Sequence, residues 1–382
     1  MRSINLSSFS KRIFVLFAIL SLSISNLPVY AIPSITTQYK NDENIDVYDF
    51  QCGLKNTFIY GDTLFYPKKI KSTSLSSIEC QTWSMNLDGT NRKVLLEGSF
   101  ARNIIPREKE LYYIPTSPSL DQYSLGVRKI DMSTRKSSWV LEESISNFQI
   151  IDEKLFCVKD FSGFYFLCNC RGNDPSVICQ RSTYRYIHQH NRRTFVFENT
   201  PYSYNVCQNF RVSLLDTSLN TTQLIASEGY DFLAYQDDMY YIDIKDQKIH
   251  KSSLTTLETC ILSDIQATNM RMDEHYIYFV NCEMGLLRPE YHYYRMDHDG
   301  EDLTYICLLE DTQLPLGIKE KSYHIVGQTL VEINDQGQKR ELETIPYGGT
   351  VRMVTNEAVY YTYSLDSTSE NTEMGVYKIT ST

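Results

Sequence analysis

The chain has 382 residues, a formal net charge of −10 and 13% aromatic residues, with 29 tyrosines among them. An acidic chain of this kind presents no electrostatic footprint for nucleic acid or for an anionic membrane surface. Its length also exceeds what one hydrophobic core usually holds, unless the chain is a repeat array or a barrel.

Residues 1–31 read as an export leader rather than as part of a fold. Arg2, Lys11 and Arg12 give a basic start, an apolar run over 13–24 is broken only by Ser21 and Ser23, and Val29-Tyr30-Ala31 offers small residues where a signal peptidase reads. The run is about a dozen residues, where a membrane span needs about 20; an uncleaved anchor is the alternative reading. No second apolar segment follows, so the mature chain is expected to be soluble, exported and without stable membrane insertion. Losing the leader's three cations takes the charge from −10 to −13. No cysteine follows the run closely, which argues against a lipoprotein anchor.

The remainder, 32–382, is organised by a repeat. Residues 83–96 and 291–308 carry the same pattern of strand, tight turn and strand, with Asp88-Gly89 and Asp299-Gly300 at the turns, where glycine takes positive φ freely. The two glycines lie 211 residues apart, five steps of about 42, within the blade range of propeller repeats. Further turns fall near that spacing at 130–135, 170–174, 215–220, 251–256 and 333–337. Upstream of each turn lies a short aromatic strand preceded by a polar turn, as in 63–66, 111–114, 155–158, 194–197, 239–242, 276–280, 323–326 and 359–362. The tyrosines suit strands with half-wet faces.

Each unit supplies four short strands, and about eight units fit, with seven the nearest alternative. Such units cannot bury both faces alone and stack around an axis. The expected fold is therefore an all-β propeller of about eight four-stranded blades, with two stacked β-sandwiches as the alternative. The last unit, 350–382, has room for three strands. Residues 32–50 would supply the closing strand and a linker, with 35–39 pairing as the missing outer strand and covering an exposed edge.

At this point the residues resemble a known family. Strands such as 359–363 and 277–281, followed by Arg295-Met296-Asp297 and Asp299-Gly300, resemble the YWTD-type propeller of low-density-lipoprotein-receptor-related proteins. They are more similar still to a family of exported Gram-positive proteins that carry it. Tyrosine stands where the receptor repeats keep tryptophan. The resemblance implies the propeller fold, export and a binding role.

Candidate chemistry is sparse. His188 and His190 alternate on an expected strand and share one face, as two metal ligands can, but no third ligand stands nearby. Asp297 to Gly300 begins like a calcium loop, yet the twelfth position is Leu308. Ten cysteines in an exported chain suggest one to three disulfides, with Cys168 or Cys170 bridging to Cys179, and Cys282 to Cys307; Cys157 reads as a small core residue. No nucleophile elbow, phosphate loop or His-Glu-x-x-His is present. No catalytic, cofactor or metal residue is assigned. The expected protein is a non-catalytic, monomeric, secreted or cell-surface propeller that binds a protein or glycan through long inserts at 70–77, 116–123, 200–205 and 283–291. The alternative is an extracellular glycosidase or lyase with acidic residues in the central channel.

Overall fold

The computed structural model describes residues 47–49, 57–71, 78–96, 100–116, 126–151, 154–159, 164–169, 176–180, 184–190, 193–199, 210–216, 221–286, 288–311, 313–318, 321–366 and 371–379. All of them are strand or connection; no helix occurs among the described residues. After β1 (Val47–Asp49), the first sheet comprises β2 (Phe58–Tyr60), β3 (Thr63–Lys71), β4 (Ile78–Asn86) and β5 (Lys93–Leu96). The second comprises β6 (Phe100–Arg107), β7 (Glu110–Thr116), β8 (Val127–Asp131) and β9 (Ser137–Leu141). The third comprises β10 (Ile145–Ile151), β11 (Lys154–Lys159), β12 (Phe164–Asn169) and β13 (Ser176–Gln180).

An eight-stranded sheet follows. It holds β14 (Tyr184–His190), β15 (Arg193–Asn199), β16 (Phe210–Asp216), β17 (Thr221–Tyr235), β18 (Asp238–Asp243), β19 (Ile249–Ser253) and β20 (Thr259–Ile261), with β1 added on β17. Next come β21 (Asn269–Met272), β22 (Tyr276–Met284), β23 (Pro289–Asp297) and β24 (Thr304–Leu309) in one sheet. The following sheet holds β25 (Leu316–Ile318), β26 (Lys321–Val326), β27 (Thr329–Asn334) and β28 (Lys339–Thr344). The last holds β29 (Gly349–Val354), β30 (Ala358–Ser364) and β31 (Thr372–Lys378). Every pairing is between antiparallel neighbours. Among the described residues, six sheets are thus single blades, five of four strands and one of three.

The eight-stranded sheet departs from the expected short strands. β17 is 15 residues long: Thr221 to Gly229 pair with β16, and Gly229 to Tyr235 pair with β18. One unbroken strand is therefore the outer strand of one four-stranded half and the first strand of the next. Gly229 sits at the handover because a Cβ there would lie 2.8 Å from the Tyr241 ring and 2.9 Å from the Ile242 carbonyl.

The sheets pack face to face in chain order, and alternation along the strands explains how. On β22, Ile277 and Phe279 pack against Tyr240 and Ile242 of β18, while Tyr278 and Val280 pack with Val331 and Ile333 of β27. Both faces of a blade are buried, so its second strand reads as a continuous apolar run. The tyrosines divide: Tyr66, Tyr240, Tyr293, Tyr323 and Tyr360 are core residues, each under 2% exposed, while Tyr60, Tyr276, Tyr294 and Tyr363 are half-buried, as expected. Each of the core side chains contributes about 1.5–3 kcal/mol by burial. First strands of successive sheets meet at four junctions, β6 against β10, β10 against β14, β17 against β21 and β25 against β29, as the inner strands around a propeller axis do.

The ring closes. Ile59, Leu64, Tyr66 and Met85 of the first sheet form one core with Met353, Ala358, Tyr360 and Met374 of the last. The fold is an all-β propeller. At this seam the Tyr360 hydroxyl donates to the Leu87 carbonyl at 3.0 Å, the bond that Tyr240 makes to the His298 carbonyl at 3.2 Å across an interior junction. Glu373 accepts from Lys68 and, at 3.1 Å, from Arg92.

Two expectations meet limits here. The strand expected at 35–39 lies outside the described residues, and the described part of 32–50 goes elsewhere: β1 pairs with β17, not with β31. The expected Cys282–Cys307 bridge is corrected, because both thiols are free. Cys282 is on β22 and Cys307 on β24, with β23 between them. Two strand spacings separate their backbones by about 9.5 Å, beyond the reach of a disulfide. Cys157 is a buried core residue, as expected. Cys179 is in register with Tyr165 rather than with Cys168, whose side chain lies outside the described residues.

Candidate functional site

Successive connections of an antiparallel meander alternate between its two ends, so the disc has two faces of different kind. One face carries the first-to-second and third-to-fourth strand turns. The other carries the second-to-third connections and the links between sheets.

The turn face is built from local chemistry. In the turns that start at Asn86, Asp297 and Asn334, the glycine N–H three residues on donates to the first carbonyl at 3.0, 3.2 and 3.0 Å. Gly89, Gly300 and Gly337 hold φ of 86°, 86° and 75°. In the six-residue turns 131–136 and 253–258 that left-handed position falls instead to Arg135 and Leu257, at φ 58° and 62°. The first side chain caps the turn: Asp131 Oδ1 accepts from the Ser133 hydroxyl at 2.6 Å and from the N–H groups of Thr134 and Ser133 at 2.7 and 2.9 Å, which pulls its carboxyl down to about 2. The stretch 297–300 is such a turn rather than a calcium loop, since Asp297 Oδ1 accepts from Asp299 and Glu301 N–H groups at 3.0 and 2.7 Å.

The link face carries two ribbons that outgrow their sheets. β21 stops pairing at Asn269 opposite Val280, while β22 and β23 continue to Met284 opposite Pro289. Likewise β2 reaches only Phe58 opposite Phe65, while β3 and β4 run on to Lys71 opposite Ile78. The first matches the expected insert 283–291; of the insert 70–77 only the strand end at 70–71 is described, and residues 72–77, 117–123 and 200–205 lie outside the described residues.

The β22–β23 ribbon ends in a turn in which the Gly285 N–H donates to the Arg288 carbonyl at 3.1 Å. Glycine is required there, because a Cβ would lie 2.7 Å from Glu290 Oε1 and 2.9 Å from the Arg288 carbonyl. The turn puts Met284 and Leu286 into solvent at 82% and 98% exposure, bordered by the exposed Glu283, Arg288 and Glu290. Tyr347 and Leu365 add exposed apolar surface on the same face of the neighbouring sheets.

A third feature of this face is the β18–β19 turn. Asp243, Asp246 and His250 place one ligand atom each within 4.8 Å of one another. Their present bonds are local. Asp243 Oδ1 accepts from the Lys245 N–H at 2.8 Å, Asp246 Oδ1 from the Lys248 N–H at 2.9 Å, and His250 Nε2 lies 3.0 Å from Asp246 Oδ2. Burial alone would raise the Asp246 carboxyl, but the Lys248 N–H and His250 outweigh it and hold it low. Three ligands can bind a divalent cation, yet a turn of this type uses the same bonds with no ion. His188 and His190 are on β14 as expected, with side chains outside the described residues.

On the axis, five first strands carry a bulge. Two of these bulges hold a left-handed residue that reaches the next sheet. Asn103 (φ 48°) donates from Nδ2 to the Phe148 carbonyl at 2.5 Å, and Asp231 (φ 50°) accepts from the Met270 N–H at 3.1 Å. Asp231 keeps a little surface as a residue, but its carboxyl is enclosed, and burial pushes it up to about 7. It is the one carboxylate on the described segments of first strand that pair with a second strand, and Asp49 of β1 lies opposite Leu233 close by. Nothing in the sequence marked Asp231, since the bulge that makes it special depends on its neighbour's register.

No protein-family model and no curated protein matches the chain. Solved structures do match by shape. A prolyl endopeptidase superposes with a TM-score of 0.54 at 9% identity over 85% of this chain, which spans 55% of that protein. The β-propeller domain of the trilobed protease from Pyrococcus furiosus gives 0.47 at 14% identity, covering 77% of this chain and 96% of that domain. An oligogalacturonate lyase in complex with manganese gives 0.47 at 10% identity, covering 84% and 98%. At such identities the likeness speaks to fold alone.

Proposed function

We propose that the protein is an exported, non-catalytic propeller that binds a protein partner through its link face. The observation that carries this reading is the pair Met284 and Leu286, held almost fully in solvent on a ribbon that outgrows its sheet. Apolar side chains grouped at a projecting tip and rimmed by charge are the usual mark of a protein contact. The leader at 1–31 and the resemblance to exported Gram-positive YWTD-type propellers support an extracytoplasmic location. Cell-surface glycan remains the other ligand class, with Tyr347 as the exposed ring that would stack on a sugar.

We further read the disc as having eight blades. The five four-stranded sheets, the two halves joined by β17 and the three-stranded sheet support that count. The eighth would be completed by residues 35–39.

The experiment is a pull-down from cell-envelope extract and a glycan array, run with the wild type and with a Met284→Ser, Leu286→Ser double variant. The wild type should capture a defined protein saturably, and the double variant should lose at least tenfold. Equal capture by both, or blanks throughout with turnover on a hydrolase panel, would remove this reading.

A further inference from the structure

We infer that the β22–β23 ribbon carries a receptor for a basic side chain, a lysine or arginine of a protein partner. The inference rests on the proposed role of the link face in protein binding and names the chemistry of what binds there. Side chains alternate along a ribbon, so Asn281 and Glu283 of β22 share one face with Glu290, His292 and Tyr294 of β23. Asn281 is opposite His292 and Glu283 opposite Glu290, with Tyr305 of β24 opposite Tyr294. This face turns toward the preceding sheet, since Phe279 and Tyr294 pack against that sheet's core. The preceding sheet ends in β19 and β20, of five and three residues, against nine in β22 and nine in β23. The overhang leaves a shelf in solvent: Tyr305 is 50% exposed, Glu283 and Glu290 are exposed, and His292 and Tyr294 are half-buried.

The groups on this shelf call for a cation. Two carboxylates directly opposite each other repel. His292 Nε2 is 3.6 Å from Glu290 Oε2, too long for a hydrogen bond, and among the described residues no lysine or arginine pairs with either glutamate. Asn281 is only 5% exposed, and its Nδ2 donates to the Gln266 carbonyl at 3.0 Å. That bond orients the amide and leaves its Oδ1 buried with no hydrogen-bond partner, a costly state for an acceptor. Glu283, Glu290 and the Asn281 carbonyl can only accept, so they match a donor that carries positive charge. The rings add to this. Tyr294 and Tyr305 stand edge to face at 5.5 Å, with His292 5.9 Å from Tyr305, and a tyrosine face attracts a cation. Burial raises the Tyr294 hydroxyl and Glu283 raises it further; burial, Cys307, Tyr294 and Glu290 do the same at Tyr305, so both carboxylates lie within electrostatic reach of the rings.

The chain holds its own cations in the same way. On the β3–β4 ribbon, Lys68 pairs with Glu373 and its ammonium lies 4.3 Å from the Trp83 ring. Lys251 Nζ is 5.7 Å from the Tyr240 ring and 2.8 Å from Asp299. The shelf repeats the rings and carboxylates of those two sites, with the basic side chain left for a partner to supply. A bare metal ion fits it less well. Among the described residues, three ligand atoms gather within 4.8 Å of one another only at Asp243, Asp246 and His250, so the shelf is spaced for the larger ammonium or guanidinium head.

The probe is a fluorescent hexalysine peptide titrated against the full-length protein. Physiological ionic strength screens its long-range attraction to the net charge of −10. The wild type should bind it saturably. Glu283→Gln with Glu290→Gln should weaken binding about tenfold, and Tyr305→Ala about threefold. Asp62→Asn with Glu357→Gln removes the same charge from exposed turns on the other face, and should change binding by less than about twofold. Equal loss in that control, no loss in the shelf variants, or no saturable binding by the wild type would overturn the inference. Capture from envelope extract separates it from the reading it rests on. A protein captured equally by the wild type and by the Glu283→Gln, Glu290→Gln variant removes the shelf and keeps the protein-binding reading. Hexalysine binding that survives Met284→Ser with Leu286→Ser, with no protein captured by any form, removes that reading and keeps the shelf as a cation receptor.

Discussion

The two faces of the disc solve different problems with the same strands. On the turn face, connections are short and self-capped. Asp131, Asp297 and Asn334 spend their side chains on N–H groups two to four residues on, and Gly300 and Gly337 lie against the neighbouring sheet's backbone. On the link face, two ribbons leave their sheets, and Met284 and Leu286 contact solvent rather than protein. One face is determined by folding, and the other is where the proposed partner would bind. Substitutions on the first should therefore change stability, and on the second, binding.

The strongest way to test that division is Gly300→Ala. It combines φ 86° with a Cβ placed 2.4 Å from the Leu262 carbonyl, so both backbone strain and a clash with the next sheet apply. A loss on the order of 3 kcal/mol in urea unfolding is expected. Gly61→Ala, at φ 56° with nothing within 4 Å, isolates the strain and should lose only about 1 kcal/mol. Equal losses would show that the turn face is set by local conformation alone, without the neighbouring sheet.

The axis offers a second test, through pH. An aspartate in an unfolded chain titrates near 4. Between about pH 4 and pH 7, folded Asp231 keeps a proton that the unfolded chain has lost, because burial raises its carboxyl to about 7. Stability should accordingly fall as pH rises through that window and level off above it. Asp231→Asn copies the residue at the equivalent bulge, Asn103, and can still accept the Met270 N–H. It should flatten the slope and stabilise the protein at pH 8 by on the order of 2 kcal/mol. A slope that persists in the variant would assign it to other groups.

The seam provides a third comparison. Tyr360→Phe and Tyr240→Phe each remove one hydroxyl bond to a turn carbonyl, the first between the last and first sheets and the second inside the chain. Each should lose about 1 kcal/mol. A much smaller loss for Tyr360 would mean that the ring opens at the seam before it unfolds. The smallest stability effect is expected at the ribbon tip, where Met284→Ser with Leu286→Ser should shift unfolding by no more than about 0.5 kcal/mol while partner capture falls.

Much of the framework was legible in the residues. The aromatic run expected at 239–242 lies within β18, and that at 359–362 within β30. The Asp-Gly pairs at 88–89 and 299–300 are turns with left-handed glycine, as their sequence implies. Of the candidate site, the insert at 283–291 was legible as a long connection, though not the exposure of its tip. The expected bridge between Cys282 and Cys307 failed because spacing in sequence says nothing of the strand that lies between them. Tyrosine's amphipathic character pointed to half-wet strands, which holds for Tyr276, Tyr294 and Tyr363 but not for Tyr66, Tyr240 and Tyr293, which sheet stacking buries.

The sequence by itself determined the period, the turns and the strands, because each depends on alternation and hydrogen bonding within about 40 residues. Only the tertiary structure decided which sheets meet at the seam, that Asp231 is enclosed beside Met270, that β17 runs unbroken from one half of its sheet into the next, and that β1 pairs with β17. Those outcomes follow from how whole sheets pack against one another. A buried face constrains its partner's shape and not the partner's place in the chain, so no local pattern records them.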